Sequence, residues 1–173
     1  MKIKVMMAAT LALLCSATTI CAQETLHKVS NVEVLNLDGN PTKLPYWGEK
    51  NLLIFYVDPD RHKQNQDFTE ELEVNHRASG QNLFCFGVIN LKDAPLMPNG
   101  IVRSVARKRT ATNHGTVLAD QQYTLRDAWK LGDCNNQFVL LLVSKEGNLV
   151  FMRKGVLTAQ DKADFYATVA KYR

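Results

Sequence analysis

Apolar and polar positions change their period along this chain, and each change marks an element. Asn31–Leu37 (NVEVLNL) alternates, which predicts a strand with one apolar face. It closes at Asp38-Gly39-Asn40-Pro41, where glycine admits a positive φ and proline fixes its own. Leu52–Val57 (LLIFYV) is apolar at every position, the pattern of a central parallel strand buried on both faces. From about Gln64 to Ala78 the period lengthens. Phe68 and Leu72 fall on one stripe there, predicting a helix that stops at Ser79-Gly80. Leu83–Leu91 (LFCFGVINL) reads as a second buried strand; a basic helix near Asn99–Arg109 and a short strand, Thr116–Ala119, follow. Phe138–Val143 is apolar throughout, and Glu146-Gly147-Asn148 turns it back into Leu149–Met152 as a hairpin. The last helix opens at Thr158 with Asp161 three residues on, as in a capping box, and offers Phe165, Val169 and Tyr172 as its buried face. No repeat, low-complexity tract or linker interrupts the series. Alternating strands and helices predict an α/β fold around a mixed sheet.

The N-terminus changes what the rest can mean. Lys2 and Lys4 precede a mostly apolar run, Val5 to Ile20, which ends at Ile20-Cys21-Ala22 before Gln23-Glu24. That is the pattern of a secretory signal peptide, residues 1–22, with cleavage after Ala22. The run is shorter than the about 20 residues a spanning helix needs, and no later segment approaches that length. The expectation is an exported protein whose mature part, residues 23–173, is one domain without a transmembrane segment. Lipid anchoring is not expected, because Leu14 and Ile20 precede Cys15 and Cys21 where a lipobox has Gly, Ala or Ser. Loss of Lys2 and Lys4 lowers the formal charge from +4 to +2, too near balance to point to nucleic acid. The mature cysteines are Cys85 and Cys134, neither in a Cys-x-x-Cys nor at zinc-ligand spacing.

A parallel βαβ unit followed by an antiparallel hairpin and a terminal helix is the order of a thioredoxin-like three-layer sandwich. The segments DAPLMPNGIVRS, LRDAWKL and FVLLLVSKEGNLVFMRKGVLT resemble the YtfJ-type family of exported thioredoxin-like proteins. The resemblance runs from roughly Glu33 to the C-terminus and is most specific at Asp127-Ala128-Trp129 and in the KEGNLVF…KGVLT stretch. It implies that fold and a periplasmic location, and it carries over no catalytic residue. Thioredoxin chemistry needs a thiolate at a helix N-terminus, where free N–H groups and the helix dipole lower its pKa. Here the loop after Val57 reads Asp58-Pro59-Asp60-Arg61-His62-Lys63-Gln64 and has no cysteine. The segment before Phe138, Cys134-Asn135-Asn136-Gln137, lacks the proline that usually faces such a thiolate. Ordinary dithiol exchange is therefore not expected.

Three groups of side chains remain as candidates. Cys134 would lie in the loop facing the vacant thiolate position, where a single thiol could form mixed disulfides or a sulfenic acid; Asp133 beside it disfavours the thiolate. Cys85, between Phe84 and Phe86, reads as a small core residue, and pairing of the two is not expected. Asp58, Asp60, Arg61 and His62 could bind a ligand or serve as acid–base groups, against the plainer reading of a capped, charged helix start. Arg103, Arg107, Lys108 and Arg109 make the one dense basic patch (RSVARKR). With Val102, Val105 and Ala106 turned inward, it is either a solvated helix face or a surface for an anionic partner. Tyr123 and Trp129 read as core. His27, His76 and His114 are scattered and predict no metal site, and no glycine-rich phosphate loop implies a cofactor. The reading that results is a non-catalytic binding module of the cell envelope with an envelope protein or anionic ligand as partner. The alternative is a single-cysteine thiol-redox protein acting through Cys134.

Overall fold

A computed structural model describes residues 26–77, 79–94 and 97–173; the expected signal peptide and Ala78 lie outside the described residues. Eight strands form one sheet: β1 (His27–Lys28), β2 (Glu33–Leu35), β3 (Pro41–Lys43), β4 (Asn51–Val57), β5 (Leu83–Asn90), β6 (Val117–Asp120), β7 (Phe138–Val143) and β8 (Asn148–Lys154). Their order is β1-β8-β7-β4-β5-β6-β2-β3. β4, β5 and β6 run parallel, while β7 lies antiparallel to β4 and β8 antiparallel to β7. Four helices, α1 (Gln66–Val74), α2 (Asn99–Asn113), α3 (Thr124–Ala128) and α4 (Ala159–Val169), connect and cover the strands.

Strand alternation splits the core into two layers, because successive side chains point to opposite faces. Leu53, Leu140 and Leu142 meet Phe68 and Leu72 of α1 and Phe165 and Val169 of α4 on one face. Leu52, Ile54, Tyr56 and Leu141 meet Leu125, Trp129 and the N-terminal Val29, Val32 and Val34 on the other. Helix α2 rests on the β6 side, with Val102 packed near Leu91 and Ala119. Both faces of the sheet carry packed elements, giving the expected α/β sandwich.

Element ends moved where side chains or left-handed residues intervened. The first strand contracts to Glu33–Leu35 because the Asn36 carboxamide oxygen accepts the Asp38 and Asn40 N–H groups at 3.0 and 2.9 Å, starting the turn early. α1 begins at Gln66, after a 3-10 turn at Pro59–Arg61 and a left-handed Asn65 (φ 61°), and ends ahead of left-handed His76 (φ 51°). α2 runs four residues past Arg109 and stops where His114 turns left-handed (φ 54°). At α4 the capping box forms as expected: Thr158 Oγ1 accepts the Asp161 N–H at 3.1 Å, and Asp161 accepts the Thr158 N–H at 2.9 Å. Trp129 is fully buried and donates from its indole to the Ser30 carbonyl at 2.8 Å.

Candidate functional site

The loop after β4 is tied down by its first residue. Asp58 is buried, and its carboxylate accepts the Asp60 N–H at 2.8 Å and the Asn136 N–H at 2.7 Å. Its own N–H donates to the Gln137 carbonyl at 3.1 Å. Burial raises its pKa in spite of these hydrogen bonds, which pull the other way. Asp58 therefore caps the 3-10 turn and braces two loops, so the acid nominated for ligand binding is already occupied. Asp60, Arg61 and His62 are exposed. His62 Nδ1 lies 2.9 Å from the Pro59 carbonyl oxygen, which can only accept, so Nδ1 carries the proton and Nε2 faces away from that bond.

The segment Cys134–Gln137 does abut Asp58, but its thiol points elsewhere. Cys134 is fully buried among the apolar side chains on the Tyr56 face, with Sγ 3.5 Å from the Gly132 carbonyl oxygen. Burial pushes its thiol up to about 11, outweighing the opposite pull of Lys154 and Arg126. Cys85 packs against the other face of the sheet, and burial pushes it to about 12. Both are unpaired thiols, separated by the sheet itself.

Polar side chains gather where the parallel strands end. Asp120 is buried and accepts the Thr124, Leu125 and Arg126 N–H groups at 2.7, 3.0 and 3.3 Å and the Tyr56 hydroxyl at 3.2 Å. Asp93 accepts from the Asn90 amide and the Tyr123 hydroxyl. Tyr123 is left-handed (φ 60°), only part-buried, and stacked under the Arg126 guanidinium 3.3 Å from its ring centroid. Expected in the core, it instead joins α3 to this polar layer. The Asp120 carboxylate is spent on capping α3, which leaves it no role towards a ligand.

The basic patch divides along its helix. Arg103 reaches Gln121 Oε1 at 3.3 Å and lies over Gly39, and Arg107 pairs with Asp38 at 2.8 Å, so both face the β2–β3 hairpin. Lys108 and Arg109 are exposed. Val105, expected inward, is 49 % exposed, because Val102 and Ala106 alone define the line that touches the sheet. The segment RSVARKR is thus two flanks with different neighbours.

Between α1 and α2 the sheet is left open as a groove of about 400 Å³. Its floor is Phe55, Val57, Gly87, Ile89 and Val117, all on one face of β4, β5 and β6. Thr69 and Glu73 line it from α1, and Val105, Ala106 and Arg109 from α2. His62 lines it from the loop after β4. Of the nominated residues, His62 and Arg109 both line this groove; Asp60, Arg61, Arg103, Arg107 and Lys108 are not among its lining residues. The groove was not read from the sequence, although two signals pointed to it. Gly87 interrupts an apolar strand, where a glycine commonly marks close approach by another group. Arg109 falls seven residues after Val102 and three after Ala106, placing a charge on an otherwise apolar stripe. Among the described residues no helix is long and apolar enough to cross a membrane.

Comparison with known proteins agrees with this fold. A family model described as bacterial protein of unknown function (YtfJ_HI0045) matches residues 59–171. No curated protein matches the chain. Among solved structures, the exposed lipoprotein thioredoxin Etrx1 from Streptococcus pneumoniae is similar at TM-score 0.57 and 13% identity, covering 80% of this chain and 99% of that one. A putative thioredoxin from Neisseria meningitidis gives 0.58 and 14%, over 84% and 91% of the two chains. A DsbF homologue from Corynebacterium diphtheriae gives 0.60 and 12%, over 82% and 85%. At these identities the likeness shows a thioredoxin-like fold and nothing finer.

Proposed function

Because the chain belongs to the YtfJ_HI0045 family, a bacterial family of unknown function with no reaction to inherit, we propose that it is a non-catalytic binding module of the cell envelope. In this reading the signal peptide of residues 1–22 exports it, and its ligand lies in the groove between α1 and α2. The observation that carries the proposal is a contrast within one molecule. Both thiols are pressed into opposite sides of the core with raised pKa values, whereas the groove stands open. A pocket of a few hundred Å³, mostly apolar with a few polar groups, suits a small ligand or an inserted apolar side chain.

Two measurements on the purified protein test the proposal. An insulin disulfide-reduction assay is expected to show no turnover, and the double variant Cys85→Ser, Cys134→Ser should match the parent. The fluorescent probe 8-anilinonaphthalene-1-sulfonate should bind the native protein and lose at least half its signal in Gly87→Val. Turnover that disappears with Cys134→Ser would hand the function to the single-thiol alternative. Probe signal untouched by Gly87→Val would remove the groove as the site.

A further inference from the structure

The ionisable side chains that line the groove constrain what can occupy it. They are Arg109, Glu73 and His62. Neither Arg109 nor Glu73 forms an ion pair within the described residues, unlike Arg107, Arg126 and Arg153, which do. Arg109 follows Val102 and Ala106 at helical spacing but is exposed, at the edge of the groove, while Glu73 lies one residue past Leu72, a step off the α1 stripe. His62 already spends Nδ1 on the Pro59 carbonyl, so Nε2 is the nitrogen left for a ligand. Beneath these groups lie Phe55, Val57, Ile89 and Val117, with exposed Val105 beside them. An unpaired guanidinium above an apolar floor asks for a ligand with one anionic end and an apolar body. A guanidinium matches a planar carboxylate with two parallel hydrogen bonds. A dianionic head is disfavoured, because a single guanidinium would face it with Glu73 lining the same groove.

We infer that the groove takes a single-chain aliphatic carboxylate, its chain lying over Phe55, Val57 and Ile89 and its head on the Arg109 guanidinium. The assignment rests on the groove being the binding site and adds the chemical class of the ligand. Gly87 fits this role. Its missing side chain leaves depth in the middle of the floor, where an added Cβ would meet Val117 Cγ2 at 3.4 Å and Val117 Cγ1 and the Phe55 carbonyl oxygen at 3.9 Å, all ordinary contacts.

Isothermal titration with dodecanoate, dodecanol and dodecyltrimethylammonium tests the inference, the two ions below their micellar concentrations and the alcohol below its solubility limit. Dodecanoate should bind about tenfold or more tightly than dodecanol, the worth of one charge-assisted hydrogen bond. Arg109→Gln should erase that ratio while leaving dodecanol unchanged. Gly87→Val should weaken both, and Val105→Asp, on an exposed position that tolerates change, should weaken dodecanoate more than dodecanol. Equal affinities for dodecanoate and dodecanol, both lost in Gly87→Val, would overturn the carboxylate head and keep the groove. Preference for the ammonium would do the same and shift the contact to Glu73. No binding by any of the three would overturn the aliphatic ligand class. The anilinonaphthalene sulfonate result then decides separately whether the groove binds anything.

Discussion

Gly147 shows how far one residue can be fixed by its surroundings. It sits at φ 79°, and a Cβ built on it would stand 2.9 Å from the Val29 carbonyl oxygen. Its own carbonyl accepts the Val29 N–H at 2.8 Å, so this turn anchors the segment that leads on from β1. Gly48 has a similar φ of 80° with nothing within 4 Å. Gly48→Ala should therefore cost only the left-handed strain of about 1–2 kcal/mol. Gly147→Ala should cost clearly more, read as a larger fall in urea midpoint. The cysteines make the second prediction at this scale. Folding raises their thiols from an ordinary 9.0 to about 11 and about 12, so the native state holds these protons more tightly than the unfolded chain does. The stability this contributes is complete below pH 9 and is lost as pH rises through 11 and 12. Chemical unfolding between pH 8 and 11 should show the decline. Iodoacetamide at pH 8 should label neither thiol on the native protein within minutes and both in denaturant. Rapid labelling of native Cys134 would contradict its burial.

At the scale of elements, side-chain caps explain boundaries that hydrophobic period alone does not set. Thr158 and Asp161 were legible as a capping box because cap and partner are three residues apart in sequence. Thr158→Ala is expected to cost about 1 kcal/mol in a thermal or urea melt. Asp120 does the same job for α3, but its partners include Tyr56, 64 residues away, and it is fully buried. Asp120→Ala would leave three α3 N–H groups without their acceptor, at about 1–3 kcal/mol for each group that stays buried. It should destabilise more than Thr158→Ala does. Asp58 was legible as a cap before a helix. The element it caps is the short 3-10 turn, and its second oxygen holds Asn136 in the loop before β7, a contact that only the fold creates.

At the scale of the molecule, the basic helix separates into parts with different effects. Arg107 and Asp38 form an ion pair between half-exposed side chains, the kind worth less than about 1 kcal/mol. Arg107→Ala should leave the urea midpoint nearly unchanged, and it should leave dodecanoate binding unchanged too, in contrast to Arg109→Gln. A shared loss in both variants would mean that the patch acts as a diffuse positive field rather than through one guanidinium.

The order and type of the main elements were determined by the sequence itself. Fully apolar runs become the central strands, Phe68 and Leu72 the buried stripe of α1, and the SKEGN turn a hairpin, because these patterns depend on neighbours within a few residues. The absence of a cysteine from the loop after β4 is likewise a fact of sequence alone. What only the tertiary structure decided is which way each candidate side chain faces. Cys134 enters the core beside Tyr56, and Arg103 and Arg107 turn to the hairpin. Arg109 and His62 each line an uncovered strip of sheet. The physical reason is the same in each case: orientation follows from contacts between residues far apart in the chain, and the local period is blind to them.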